Sequence, residues 1–226
     1  MAKITQLEPQ KKNPKRFNIY IDGQFAFGAD EDLVVSYRLL VGKILQLQDL
    51  EKLLFEAEVG KLMEKMYRWF GIRQRSEKEV CDYFRVKNLE SRVKGKEEKS
   101  QLVINRAVEV LKQKGLINDL EFAKAWVEAR RRSKQKGVRA LKVELYQKGI
   151  EKEIIEEVLR LTDVRSGQVS EEDLAKLALE KKIKVWKNLP PREFRKKATE
   201  FLLRRGFEYE VVKRVVGNLD GEEFFN

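Results

Sequence analysis

The chain has 226 residues, of which 38% are charged, and its formal net charge is +11. A charged fraction well above the usual value of about a quarter favours a thin helical array over a compact sphere. The sequence contains no histidine and a single cysteine, Cys81. These two features exclude the usual catalytic triads, most catalytic zinc sites and any intrachain disulfide. We therefore expect no enzymatic activity, no metal and no cofactor.

The sequence also bounds the cellular location. No stretch approaches the roughly 20 consecutive apolar residues of a membrane span, and the amino terminus lacks the apolar run of a signal peptide. A single cysteine fits a reducing compartment. A basic membrane-surface helix would need a broad apolar face, which the sequence does not offer. We expect a cytoplasmic monomer that does not bind membranes.

The positive charge is unevenly distributed along the chain. Residues 1–60 carry eight basic and nine acidic side chains, so the remaining residues hold a net charge of +12. A basic balance attracts nucleic acid, an anionic membrane or an acidic protein, and by itself selects none of them. The sequence therefore assigns any cationic function to the part of the chain after residue 60.

Alternating apolar residues near the amino terminus predict a small β element. Residues 17–21 and 24–27 alternate, and Asp22-Gly23 separates them. Asp-Gly in this position is a strong hairpin signal because a type I′ turn needs positive φ at both central residues. Residues 4–7 could supply a third strand. The acidic residues 30–32 predict the first turn of a helix rather than a metal site.

From about residue 60 the sequence predicts an internal repeat of about 50–60 residues with three helices in each unit. Apolar doublets at residues 154–155 and 211–212 are offset by 57 positions, as are Gly149 and Gly206. In each repeat the second helix is predicted to end at a residue that tolerates a left-handed backbone, namely Asn88, Gly149 or Gly206.

These patterns predict a mainly α fold. Three tandem three-helix repeats are expected to form an elongated, curved array, preceded by a small N-terminal β-hairpin or meander. The β element with its following helix is predicted for residues 1–58, the three repeats for 59–116, 117–163 and 170–220, a linker for 162–168 and a flexible tail for 221–226.

The densest group of cations lies at the turn between the first two helices of the second repeat. Between residues 130 and 139 six positions are basic and none is acidic. They are Arg130, Arg131, Arg132, Lys134, Lys136 and Arg139. Like charges at helical spacing destabilise by a few tenths of a kcal/mol each, so an unrelieved cluster predicts an anionic partner. The predicted surface also includes Arg73, Arg75, Lys181 and Lys182.

The three tryptophans permit two interpretations, core packing and stacking on nucleic-acid bases. Helical spacing favours core packing for Trp69 and Trp126. Trp186 is open to either, because Lys184 and Lys187 flank it. Carboxylate pairs, by contrast, lie among lysines at helical spacing, as on a solvated helix face.

The block at residues 118–150 resembles the RecX family, the bacterial regulators of the RecA recombinase. It has a hydrophobic-aromatic helix, an arginine-rich turn through Ser133, Lys134 and Gly137, and a helix ending in Lys148-Gly149-Ile150. Residues 202–216 resemble the end of the same family. The resemblance covers roughly residues 60–220, and residues 1–58 resemble an extension found in some members.

The resemblance implies a helix array that binds RecA in the groove of the RecA–DNA filament, inhibits it, and so modulates recombination and the SOS response. The charge adds weak, non-specific binding to single- and double-stranded DNA. A helix-turn-helix module that acts on DNA without RecA is the alternative. Its recognition helix, residues 138–147, would offer Arg139 and Lys142 but few amide side chains, so its binding would be driven by phosphates.

Overall fold

The computed structural model of the protein describes residues 2–165, 170–186 and 188–218, without the side chains of residues 162–165 and 181. Its strands are β1 (Ala2–Gln10), β2 (Asn13–Ile21), β3 (Gln24–Asp30) and β4 (Ile44–Leu45). Its helices are α1 (Glu31–Ser36), which precedes β4, α2 (Leu47–Phe70), α3 (Glu77–Val93), α4 (Gln101–Gln113), α5 (Asp119–Lys134), α6 (Val138–Gln147), α7 (Lys152–Arg165), α8 (Glu171–Trp186), α9 (Pro191–Arg205) and α10 (Tyr209–Gly217).

The amino-terminal residues form the small β element that the sequence predicts. The sheet is antiparallel in the order β3-β2-β1-β4. Asp22 and Gly23 join β2 to β3 with φ of 49° and 81°, as a type I′ turn requires. Asp30 caps α1 by accepting a hydrogen bond from the Leu33 amide. The sequence did not indicate β4, because two residues are too few to show alternation.

The rest of the described chain is helical, which confirms the mainly α fold with three-helix repeats. Each repeat has its own apolar core. The first is formed by α2, α3 and α4, the second by α5, α6 and α7, and the third by α8, α9 and α10. Contacts divide the chain into two compact units: the first holds the chain to residue 75 and residues 80–117, and the second holds residues 76–79 and the chain from residue 118.

Asn88 does not end a helix, so this prediction was wrong. Helix α3 continues through it to Val93. The Asn88 amide instead donates to the carbonyl of Lys99 and accepts from its amide, at 2.9 and 3.0 Å. Asn88 therefore fastens the loop after α3, a role that depends on a residue eleven positions away.

Two helices cross positions where the sequence predicts a boundary. Helix α2 runs without a break past residues 58 and 59, and α7 extends to Arg165 into the predicted linker. Residues 166–168 of that linker and the predicted tail, residues 221–226, lie outside the described residues. The segment limits and the elongated, curved arrangement therefore stay predictions.

Within the second unit, main-chain atoms join the second and third repeats. The Gly137 amide at the start of α6 donates to the Arg205 carbonyl at the end of α9, at 3.0 Å, and the Arg139 amide donates to the Gly206 carbonyl, also at 3.0 Å. A Cβ atom on Gly137 would lie 2.5 Å from the Gly206 oxygen. The approach is therefore possible only without a side chain at residue 137.

A related joint involves the short segment before α3. Ser76 is fully buried, and its hydroxyl donates to the carbonyl of Lys148 at the end of α6, at 2.7 Å. The same hydroxyl accepts from the Glu79 amide and so caps α3. The residues of this contact, like those of the glycine contact, all belong to the second unit.

We expect Gly206→Ala to destabilise the second unit. Gly206 has a φ of 87°, and a Cβ atom there would lie 2.3 Å from the Ala140 Cβ. The left-handed backbone and the overlap together should cost roughly 2–5 kcal/mol of unfolding free energy. Gly115→Ala is the control, because its φ is 68° and its Cβ would meet nothing within 4 Å. Chemical denaturation should show a clearly smaller loss for the control, and equal losses would contradict the packing constraint.

Candidate polyanion-binding cleft

Several of the sequence-predicted cations line one cleft in the second unit. Its volume is about 430 Å³. Five basic and two aromatic side chains line it, and no acidic side chain does. They are Lys134, Lys136, Lys182, Trp186, Phe201, Arg204 and Arg205.

Three segments bring these side chains together. Lys134 is the last residue of α5, and Gln135 then reverses the chain with a left-handed φ of 41°. Lys182 and Trp186 are four residues apart and therefore share one face of α8. Phe201 shares a face of α9 with Arg205 for the same reason. The Gly137–Gly206 joint holds the ends of α5 and α9 beside each other.

The aromatic side chains form the apolar part of the cleft. Trp186 packs edge to face against Phe201, with ring centroids 5.8 Å apart, and against Phe194 at 6.3 Å. The Lys182 ammonium lies 5.8 Å from the Phe201 centroid, and the Arg205 guanidinium carbon lies 4.8 Å from it. These cation–π contacts keep two positive charges against the aromatic surface.

Arg205 is fixed in position while Lys134 and Arg204 are exposed. The Arg205 guanidinium donates to the Lys134 carbonyl, and its burial lowers the pKa of this group. An arginine remains protonated at neutral pH even so. Lys134 and Arg204 are exposed and form no ion pair with a described residue. The cleft therefore presents positive charge that nothing in the described chain neutralises.

The expectation that the cations of residues 130–139 are unrelieved is wrong for three of the six. Glu144 on α6 accepts hydrogen bonds from Arg130 at 2.7 Å, from the Trp126 indole at 2.8 Å and from Lys136. Burial opposes the ionisation of Glu144, but the bonds from Lys136, Arg130 and Trp126 outweigh it and keep the pKa of this carboxyl below its usual range.

Arg131 is the third cation with an acidic partner. Its guanidinium lies 3.2 Å from Glu171 at the start of α8, and the two side chains are only 11% and 20% exposed. The other Glu171 oxygen accepts from the amide of Val138, at 3.4 Å. This pair therefore joins the second repeat to the third. The pairing of Glu144 and Glu171 with these cations could not be predicted from the sequence, because both acids lie outside the basic run.

The remaining predicted site residues are distributed over both units. Arg132 and Arg139 are exposed, make no ion pair within the described chain, and do not line the cleft. Arg73 and Arg75 belong to the first unit, so a continuous track from them to the cleft stays a prediction. Lys181 is in α8, but its side chain lies outside the described residues.

The structure separates Trp186 from the other two tryptophans. The Arg75 guanidinium lies 4.3 Å from the Trp69 ring centroid, and that of Arg130 lies 4.2 Å from the Trp126 centroid. Their aromatic faces are therefore used within the protein, in agreement with the packing interpretation. Trp186 also packs against the core of its own repeat, but it lines the cleft as well, so both interpretations stay open for it.

Sequence reasoning missed Arg204, Arg205 and Phe201. The signal was present as a helix that ends in two arginines directly before Gly206, with Phe201 one turn earlier. Consecutive cations in a last turn are also explained by the helix dipole, so their spacing alone does not mark a site. What marks Arg204 and Arg205 as part of a site is their position beside the turn of the preceding repeat, which only the structure shows.

The arrangement suits a partner that carries both anionic and flat groups. Phosphates can bind the exposed cations, and a base can stack beside Trp186.

The described residues contain no group of three or more acidic or cysteine side chains that could hold a metal ion. None of the described helices has the combined length and apolar character that crossing a bilayer requires.

We expect Glu144→Gln to reduce stability in a pH-dependent way. At pH 7 the change leaves Arg130 and Lys136 without their anionic partner, which should cost roughly 1–3 kcal/mol. Because the folded-state pKa of Glu144 is lowered, its contribution is fully present above the usual value of 4.5 and disappears as the pH falls through the folded-state value. Urea denaturation over a pH series should therefore show the two proteins converging in acid.

Glu128→Gln is the matched control for this prediction. Glu128 is exposed on α5 and forms no ion pair with the described residues, so its change should be nearly neutral at every pH. A constant difference between wild type and Glu144→Gln from pH 7 down to acid would count against the charged role of Glu144.

Comparison with known proteins identifies the family. Three family models match, namely the regulatory protein RecX N-terminal domain over residues 2–46, the second three-helix domain of RecX over residues 118–159, and a third over residues 170–216. The regulatory protein RecX of Staphylococcus aureus strain JH9 is 30% identical over 220 residues, which cover 97% of this chain and 75% of that protein. The protein of strain Newman matches equally.

Two solved structures share the fold. A crystal structure of regulatory protein RecX superposes with a TM-score of 0.71 and 24% identity, covering 95% of this chain and 98% of that one. RecX from Lactobacillus salivarius gives a TM-score of 0.55 and 21% identity, covering 72% and 97%. Since the three family models match in order over more than half of its length, and since relatives of 30% identity align along nearly all of it, the chain belongs to the RecX family of regulatory proteins.

Proposed function

We propose that this protein regulates the RecA recombinase, mostly as an inhibitor, by binding RecA and occupying the groove of the RecA–DNA filament. Recombination and SOS activity would be modulated as a result. Membership of the RecX family is the observation that carries the proposal. The cleft supports it, because a cationic surface without lining acids suits DNA phosphates and acidic side chains of a protein filament.

Regulation by occupancy needs binding groups and no catalytic ones. We assign three cations of the cleft to direct contact, namely the exposed Lys134 and Arg204 and the half-buried Lys182. Arg132 and Arg139 are exposed outside the cleft, and we assign them to further contacts with the partner. Arg130, Arg131 and Lys136 hold the turn through Glu144 and Glu171, so we assign them to positioning. Single- and double-stranded DNA without RecA would bind weakly and without sequence preference.

Recognition of DNA alone by a helix-turn-helix is the less favoured function. Such modules insert the first residues of the recognition helix into the major groove. Here the first turn of α6 is engaged with the end of α9, through Gly137 and Gly206. Helix α6 would have to leave that joint before it could read bases.

We also propose that the protein acts as a monomer in the cytoplasm, where RecA filaments form.

The proposal is tested by the DNA-dependent ATP hydrolysis of RecA filaments on single-stranded DNA. Wild-type protein should lower the rate and shorten the filaments. Lys134→Glu with Arg204→Glu should require at least a tenfold higher concentration for the same inhibition, because two attractive charges become repulsive. Arg160→Glu with Lys213→Glu is the matched control: both residues are exposed in the same unit, neither lines the cleft, and the change of charge is identical.

The outcomes separate the function from the surface. If wild-type protein in excess over RecA protomers leaves ATP turnover, strand exchange and filament length unchanged, the proposed function is wrong. If both double variants lose inhibition equally, net charge rather than the cleft determines binding.

Binding to DNA without RecA should depend strongly on salt. Each phosphate contact contributes about 0.7 to the log–log salt slope on single strands and about 0.9 on duplex. Replacing Lys134, Lys182 and Arg204 by alanine should therefore lower the slope on single strands by about 2 and weaken binding to all sequences alike. Fluorescence anisotropy over a range of salt measures this slope. A preferred sequence with salt-insensitive affinity would support the helix-turn-helix alternative instead.

A further inference from the structure

We infer that the first unit contains a second binding site, for single-stranded nucleic acid, in a cleft between the β-sheet and α2. The cleft has a volume of about 640 Å³. The side chains that carry the inference are Lys12, Arg16, Phe25, Lys61, Tyr67 and Arg68. This site deepens the proposed function by adding a contact to the DNA strand, and it rests on that function only for its biological setting, since its binding chemistry does not involve RecA.

A buried arginine forms the base of the cleft. Arg16 on β2 is only 5% exposed, and its Nη2 donates to the Gly28 carbonyl at 3.0 Å. Its Nη1 lies 3.2 Å from a Glu64 oxygen, but the angle does not make a hydrogen bond. The Arg16 charge is therefore partnered by Glu64, and Arg16 supports the base of the cleft without contacting a ligand.

The carboxylate that lines the cleft is already engaged by the sheet. One Glu64 oxygen faces Arg16, and the other accepts a hydrogen bond from the Asn13 amide at 2.8 Å. Glu64 therefore neutralises the buried arginine and leaves the cations at the rim uncompensated. It also ties α2 to β2 through Asn13 and Arg16, which gives the cleft a fixed wall.

Three exposed cations surround this base. Lys61 and Arg68 lie on the same face of α2 as Glu64, and Lys12 lies in the turn between β1 and β2. None of the three forms an ion pair with a described residue. The Arg68 Nε donates only to the Glu64 carbonyl of its own helix, at 3.4 Å. The cleft is thus cationic although residues 1–60 carry a net negative charge, because α2 adds two cations from beyond residue 60.

Two aromatic side chains stand beside these cations. Phe25 is 59% exposed on the edge strand β3, and Tyr67 is 44% exposed on α2. Single exposed aromatics are common on protein surfaces, but two that line one cationic cleft form a pair of stacking surfaces. Bases of a single strand can stack on aromatic faces while the adjacent phosphates bind lysine and arginine.

A single strand fits this chemistry better than the other anionic partners. Duplex DNA has its bases already stacked, so its contact with the cleft would leave Phe25 and Tyr67 unused. An acidic peptide would satisfy the cations but would not use the aromatic faces. The second unit presents the same combination of exposed cations and an aromatic side chain, at Lys134, Arg204 and Trp186.

The test uses the full chain and a fluorescent oligothymidylate without RecA. Lys12→Ala, Lys61→Ala and Arg68→Ala together should lower the salt slope by about 2, at about 0.7 for each lost phosphate contact, and weaken binding at least tenfold. Lys3→Ala, Lys94→Ala and Lys96→Ala remove the same charge from exposed positions of the same unit that do not line the cleft, and should have a clearly smaller effect. Equal effects of the two triple variants would overturn the inference.

Photo-crosslinking locates the base directly. An oligonucleotide that contains 5-iodouracil should crosslink to Phe25 or Tyr67, and the crosslink should disappear from Phe25→Leu with Tyr67→Leu while circular dichroism stays unchanged. Crosslinks confined to the second unit, at Trp186 for example, would overturn the inference. So would displacement of the oligonucleotide from this cleft by oligoglutamate as readily as by unlabelled oligothymidylate, which would identify an acidic peptide as the occupant.

The same variants distinguish this inference from the proposed function. If RecA inhibition is intact but the first unit neither crosslinks nor contributes to the salt slope, only the second site is rejected. If the first unit crosslinks but RecA turnover is unaffected by wild-type protein, the site stands and the proposed function fails.

Discussion

The close main-chain contact between Gly137 and Gly206 is the constraint on which the second unit depends. Amides at the start of α6 donate to carbonyls at the end of α9, at a separation that leaves no space for a Cβ atom on either glycine. The contact brings the end of α5 beside the end of α9, so Lys134 and Arg205 meet although they are 71 residues apart. The cationic cleft is therefore a consequence of how the repeats pack, and mutual repulsion among its cations is overcome by that packing.

Acidic residues determine which cations remain available. Glu144 forms ion pairs with Arg130 and Lys136 at the turn, and Glu171 forms one with Arg131 where the second and third repeats meet. Half of the basic run thus has a structural role, because a buried or half-buried charge is tolerated only with a partner. The other half stays exposed. In the first unit Glu64 does the same for Arg16, and the cations at the rim of that cleft are left uncompensated.

The features that the sequence predicted correctly depend on neighbouring residues. The Asp22-Gly23 turn and the Asp30 cap each follow from a few neighbouring positions, and the three-helix repeats follow from short patterns that recur 57 residues apart. The errors and omissions are non-local. Arg130 pairs with Glu144, 14 residues away, and Arg131 pairs with Glu171, 40 residues away. The periodicity of the sequence does not indicate which carboxylate comes close to which arginine. Arg16 would be assigned to a solvated strand face by its type alone, yet it is buried because Glu64 of α2 reaches it.

The joints between repeats have a consequence for how such a protein can diversify. Ser76 meets the carbonyl of Lys148, and the amides of Gly137 and Arg139 meet the carbonyls of Arg205 and Gly206. The acceptors of these three hydrogen bonds are peptide carbonyls, which any amino acid supplies, while Glu171 adds a carboxylate between the second and third repeats. A duplicated repeat would therefore need only small residues and a few acids at the joint in order to fit its neighbour. The charged residues on its exposed surface could then change by mutation while the contacts between repeats are kept. New binding specificities could arise in this way on an unchanged fold.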